Sequence, residues 1–236
     1  MPINRNQVAS ERPHVALLVE TSLGSGRDIL KGISRYIREH GQWALFHEPR
    51  SLEDSVPEWI SRWKGDGIIA RIQNQEMADL LSSTNIPVVD VLGMVPDCGI
   101  PLVHVDDSEI AELGAEHLLE RGFRNFAFYG MEDENWSERR EKSFCERIES
   151  RGFKAVSKLT PRRSRRFKTW EQQEDELASW IAGLPKPVGV MVCSDQRATD
   201  LLEACHRANV EVPDEVAVIG VDNDEALCEV AYPPLS

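Results

Sequence analysis

The sequence predicts an α/β protein of two doubly wound parallel-sheet lobes with a ligand cleft between them. Three observations predict it. Residues 216–224, Val-Ala-Val-Ile-Gly-Val-Asp-Asn-Asp, pass from six apolar or small residues into three polar ones. Such a run reads as a strand buried on both faces, and its abrupt polar end as a carboxyl tip in a loop. Similar junctions recur at 15–20, 67–71, 87–93, 102–107, 125–130 and 188–195. Finally, helical segments separate these runs, and the alternation repeats on both sides of about residue 106. Alternation of this kind implies parallel sheets with helices on both faces. In such sheets ligands sit outside the carboxyl ends of the strands.

Each element can be justified in order. The first strand, 14–20, leads through Thr-Ser-Leu-Gly-Ser-Gly into a helix from about Arg27 to His40. Ile29, Ile33, Tyr36 and Ile37 give that helix one apolar face, and Gly41 stops it. Residues 43–47 read as a strand, and 57–63 as a short helix with Pro57 tolerated in its first turn. Trp59 and Trp63 are four apart, share a face and are expected in the core. Strands are expected at 68–71, 88–92 and 102–105, with a helix at 75–82. A helix at 108–120 has Ser108 as its candidate N-cap. The second half then reads as strand 126–129, helix 136–150, strand 155–159, helix 170–182, strand 188–193, helix 197–208 and strand 216–221.

Composition narrows the class. The 236 residues, 41% hydrophobic and 28% charged, suit a soluble globular chain of two modest lobes or one large domain. No apolar run reaches the length of a membrane span. Residues 1–13 are polar, lack the core of a signal peptide and are expected to be a disordered lead-in, so the cytoplasm is the expected location. Cys98, Cys145, Cys193, Cys205 and Cys228 are odd in number and form no C-x-x-C pair, which fits free thiols in a reducing compartment. Neither they nor the six histidines show metal-ligand spacing, and no cofactor is expected. The net charge of −13 opposes direct contact with DNA. One basic run, 162–168, opposes the trend, either as a phosphate contact or as a solvated loop.

Several segments together resemble the LacI/GalR-type regulators of the periplasmic-binding-protein-like type I fold. These are 102–107 with Glu116-His117-Leu118-Leu119, 122–128, Ser137-x-x-Arg140 with Phe144, Ser194-Asp195, Val212-Pro213, 217–222 and 233–236. Four segments are similar, more narrowly, to the xylose-responsive regulators of the AraC family: 65–70, 126–130, Ser194-Asp-Gln-Arg-Ala198 and 218–223. The resemblance covers about residues 14 to 236. It implies a sensor of a small sugar, D-xylose, in a homodimeric transcription regulator that signals by lobe closure. It also implies a helix-turn-helix region that meets operator DNA and lies C-terminal to this chain. The lobes are then expected at 14–105 and 106–232. Residues 233–236 would start a return to the first lobe, which is expected to be incomplete without residues beyond 236.

Sugars present vicinal hydroxyls and an apolar C–H face. Carboxylates accept pairs of hydroxyl hydrogens, Arg and Asn donate in planar sets, and an aromatic ring packs on the C–H face. The strand tips and the helix starts beside them supply Glu20, Arg27, Asp106, Arg140, Asp195, Arg197, Asp222 and Asn223. The resemblance puts Arg140, Asp195 and Asp222 at sugar-contacting motif positions and matches Arg27 and Arg197 to arginines of the narrower pattern. Trp136 is the candidate platform. The expected ligand-binding set is therefore Arg27, Trp136, Arg140, Asp195, Arg197, Asp222 and Asn223, with no catalytic or metal residues.

Each has a plainer reading. Asp222 and Asp195 would cap helices, Arg140 would pair with Glu138 or Glu141, Trp136 would fill core or rim, and Asp106 would position the crossover. Arg27 stands at a helix start, where a cation gains nothing from the dipole. Ser194 stands where many relatives carry Asn. Two rival functions remain open. Gly24-Ser-Gly26 after the first strand suits a nucleotide-using enzyme, although Ile29 occupies the third glycine position of G-x-G-x-x-G. A transport sugar-binding protein shares the architecture, although the N-terminus lacks a signal peptide.

Overall fold

Eight strands and seven α-helices alternate among the described residues of a computed structural model, 12–52, 54–161 and 169–235. The basic run 162–168 and most of the expected lead-in lie outside these residues. The chain divides into two compact units, one ending at His104 and the other starting at Val105.

In the first unit, β1 (His14–Leu18), β2 (Ala44–His47), β3 (Gly67–Ala70) and β4 (Val88–Asp90) form one parallel sheet in the order β2-β1-β3-β4. Helix α1 (Gly24–His40) follows β1, and α2 (Gln75–Ser83) follows β3. Ala16, Leu18, Ile68 and Ala70 alternate onto one face, where Met77 and Leu81 of α2 bury them. A 3-10 turn, Glu58–Arg62, brings Ile60 onto the same face. Trp59 and Trp63 pack there edge-on, 5.6 Å apart, so the expected core role holds. On α1 the predicted apolar row is only half-buried at Ile29, Ile33 and Ile37, and Tyr36 is exposed.

In the second unit, β5 (Asn125–Met131), β6 (Ala155–Thr160), β7 (Val188–Val192) and β8 (Val216–Ile219) repeat the pattern as β6-β5-β7-β8, all parallel. The helices are α3 (Asp107–Glu120), α4 (Asn135–Ser150), α5 (Trp170–Gly183), α6 (Asp195–Arg207) and α7 (Glu225–Val230). Phe126 and Phe128 face α3 and α4, where Ala111, Ala115, Phe144 and Ile148 enclose them. Ala127 and Tyr129 face α5 and α6, against Leu177, Ile181 and Leu201. Burial of each large side chain stabilises this double core by about 1.5–3 kcal/mol.

Three expectations change. Residues 102–105 do not form a strand; a single bridge joins Leu102 to Asp90. The reason is local. The Asp90 carboxylate accepts N–H bonds from Ile72, Leu92 and Gly93, which turns the chain after β4 and ends the ladder. Next, α3 is capped by Asp106 rather than Ser108: Asp106 Oδ1 accepts from the Ser108 and Glu109 amides, both at 3.0 Å. Last, the helix expected after Asp222 starts at Glu225, with Asp224 rather than Asp222 at its N-cap position.

Candidate functional site

The order β6-β5-β7-β8 reverses direction between β5 and β7, and a doubly wound sheet opens its ligand crevice at that reversal. The tips of these two strands carry a built polar network. Asp107, 3% exposed in the first turn of α3, receives two arginines. Arg139 donates to its Oδ2 from Nε at 3.0 Å and Nη2 at 2.7 Å. Arg140 donates from Nε to Oδ1 at 2.9 Å. Arg140 is itself buried, and its Nη1 reaches the Cys193 carbonyl at the end of β7, 2.6 Å away. Its guanidinium lies 5.1 Å from the Trp136 ring centroid, on half-buried Trp136. Thus Arg140 pairs with Asp107, not with Glu138 or Glu141.

Beside them stands Asp195, the first residue of α6, 3% exposed. Its amide donates to the Val221 carbonyl at 2.8 Å. Its carboxylate Oδ2 accepts from the Asp224 amide at 2.8 Å and from Cys228 Sγ at 3.7 Å. Burial pushes the Asp195 carboxyl above the ordinary carboxylate range. The loop so held carries Asp222 and Asn223, both exposed, at φ of 104° and 53°. Asp and Asn tolerate such angles better than other side chains do. Trp136, Arg140, Asp195, Asp222 and Asn223 are thereby brought to one end of one sheet.

Arg197 faces a different group. It is 1% exposed, and its guanidinium donates to the Thr160 and Pro161 carbonyls at 3.1 and 2.9 Å. It also reaches Asp200 Oδ2 at 3.1 Å and the Tyr129 hydroxyl at 3.4 Å. Burial pushes the Tyr129 hydroxyl up to about 12, so it stays neutral there. Arg197 therefore ties the end of β6 to α6.

In the first unit the reversal falls between β1 and β3. There Glu20, 1% exposed, forms an ion pair with Arg71, whose Nη1 also reaches Ser25 Oγ at 3.2 Å. Glu20 Oε2 and Arg71 Nε are buried without a partner. Gly26 must be glycine, since a Cβ would lie 2.6 Å from Glu20 Oε1 and 2.2 Å from its carbonyl oxygen. Arg27 is half-buried and donates to the Thr21 and Ser22 carbonyls at 3.0 and 3.2 Å.

The residue reading missed Asp107 and Arg71 as polar partners. Both lie beside the quoted tips, Asp107 after Asp106 and Arg71 at the end of the strand 68–71. An ionisable residue where an apolar run ends was the available signal. No group of His, Cys, Asp or Glu among the described residues is arranged to hold a metal. No helix there is long and apolar enough to cross a membrane.

Comparison with known proteins agrees with this architecture. Residues 115–236 match the family model described as a periplasmic binding protein-like domain, and residues 14–98 match the XylR N-terminal domain. The xylose operon regulatory protein of Escherichia coli (strain K12) is 27% identical over 92% of this chain and 56% of its own length. That of Haemophilus influenzae is 29% identical over 90% of this chain and 56% of its own length. The solved structure of the xylose-binding transcription activator xylR superposes with a TM-score of 0.76 at 25% identity, covering 92% of this chain and 56% of that one. The chain thus spans about half the length of the relatives it matches.

Proposed function

We propose a function from the premise that this chain belongs to the periplasmic binding protein-like domain family, whose model spans half of it. It is the sugar-binding sensor of a transcription regulator, and its ligand is D-xylose. The observation that carries this reading is the end of the second sheet. A polar network around Arg140 there stands beside an exposed Asp222-Asn223 loop, in a chain similar to xylose operon regulatory proteins. In this reading Asp222 accepts a pair of sugar hydroxyls and Asn223 adds a donor and an acceptor. Arg140 lies under the hydroxyl side and Trp136 offers its ring to the C–H face. Arg27 and Arg197 serve through the carbonyls they hold.

A sugar that also met groups of the first unit would favour a closed arrangement by its differential contacts. Homodimerisation and operator binding belong to the same proposal for the whole protein. The relatives named above are regulators, and a nucleotide-using enzyme is the less supported alternative.

Isothermal titration with D-xylose, L-arabinose, D-ribose and D-glucose tests the reading. D-Xylose is expected to bind in preference to the others, and Asp222→Asn to weaken it about tenfold or more, as loss of a charged acceptor does. Binding unchanged in the variant, or no sugar bound by a chain with native circular dichroism, would contradict it. An unchanged small-angle scattering radius at saturating D-xylose would contradict closure alone.

A further inference from the structure

Two consecutive non-glycine residues at positive φ are costly, and Asp222 at 104° lies outside the left-handed well. Something must hold them. Both flanks of the pair are fixed by one residue. On the N-terminal side, the Asp195 amide donates to the Val221 carbonyl at 2.8 Å. On the C-terminal side, the Asp195 carboxylate accepts the Asp224 amide at 2.8 Å. The same Oδ2 accepts from Cys228 of α7, which anchors the segment after the loop. The other oxygen, Oδ1, presses on Gly220, where a Cβ would come within 2.3 Å of it. Asp195 is 3% exposed, while Asp222 and Asn223 are exposed.

We propose that Asp195 is a positioning residue: it clamps the loop 220–224 from both sides so that Asp222 presents its carboxylate to the ligand. The inference rests on the sugar-binding reading and deepens it. A carboxylate committed to an amide, a thiol and a glycine Cα is not the group that meets a hydroxyl. Its place at the start of α6 suits its charge, since a helix N-terminus favours an anion. Gly220 is part of the device, because only glycine lets Oδ1 approach this closely.

The test separates positioning from contact. Asp195→Asn keeps an oxygen for the Asp224 amide, whereas Asp195→Ala removes it. Asp195→Ala and Gly220→Ala are both expected to weaken D-xylose binding about tenfold or more, with Asp195→Asn within about threefold of the parent. In an Asp222→Gly background, which accepts the positive φ and lacks the carboxylate, Asp195→Ala should add less than about threefold, since residues acting through one another are not additive. Full additivity, or an Asp195→Asn loss as large as that of Asp195→Ala, would overturn the proposal. Amide hydrogen exchange without ligand gives an independent readout. Asp224 should exchange faster in Asp195→Ala and not in Asp195→Asn. Unchanged exchange at Asp224 in Asp195→Ala would sink the clamp whatever the sugar result. Failure of the parent chain to bind D-xylose, with the exchange result as expected, would remove the ligand reading and leave the clamp.

Discussion

The two units share one strand order and differ in what their strand tips do. In the first, the tip carboxylates are buried and engaged internally, although Glu20 Oε2 has no hydrogen-bond partner. Asp90 takes three backbone amides, and Glu20 is paired with Arg71. In the second, Asp107 and Arg140 are likewise paired, but the tip of β8 ends in two exposed polar residues at positive φ. Topology puts polar groups at the tips in both cases. Whether a tip can meet a ligand depends on which of its polar groups reach solvent, and Asp222 and Asn223 do.

The largest expected effect breaks this contrast from the first unit. Arg71→Ala leaves Glu20 as an uncompensated buried charge, which costs about 3–5 kcal/mol. Hydrogen exchange should rise through the first sheet and stay unchanged in β5 to β8. A next, smaller effect concerns Arg197. Arg197→Met removes the hydrogen bonds from the guanidinium to the Thr160 and Pro161 carbonyls and to Asp200, at about 1–3 kcal/mol by urea unfolding. Under conditions where the variant is folded, D-xylose affinity should stay within about twofold if Arg197 acts, as proposed above, only through the carbonyls it holds.

The smallest effect sharpens the role of Asp195. Burial raises its folded pKa, so between the ordinary carboxylate value and that raised value the folded state holds more protons than the unfolded one. Stability contributed by this group is therefore lost as pH rises through that window. Asp195→Asn should flatten that part of the profile in thermal unfolding as pH rises above the ordinary carboxylate value; an unchanged slope would show that the group titrates normally.

Much of the fold was legible because apolar runs ending in polar residues carry their own boundary. The strands around Val190 and Val218 and the helices around Ala115 and Leu201 lie where the pattern puts them. The failures have physical causes. Residues 102–105 look like a strand, but β4 ends at Asp90, so nothing extends the ladder. A helix after Asp222 is expected, but its six residues are too few for a period to fix its start, which falls at Glu225. At the site, residue types identified candidates but not their partners. Arg197 reads as a ligand arginine, and its spacing does not reveal that its guanidinium meets Tyr129, Thr160, Pro161 and Asp200. Asp107 reads only as the polar end of the run 102–107, and its two arginine partners come from a distant helix. Partner choice depends on contacts between distant segments, which spacing alone does not encode.

The most direct test of the central claim is hydrogen exchange of the whole chain with and without saturating D-xylose. Added sugar is expected to slow exchange at 221–224, at 193–195 and around Trp136 to Arg140, with little change at the tip of β4. Protection absent from 221–224, or confined to the first unit, would contradict the account.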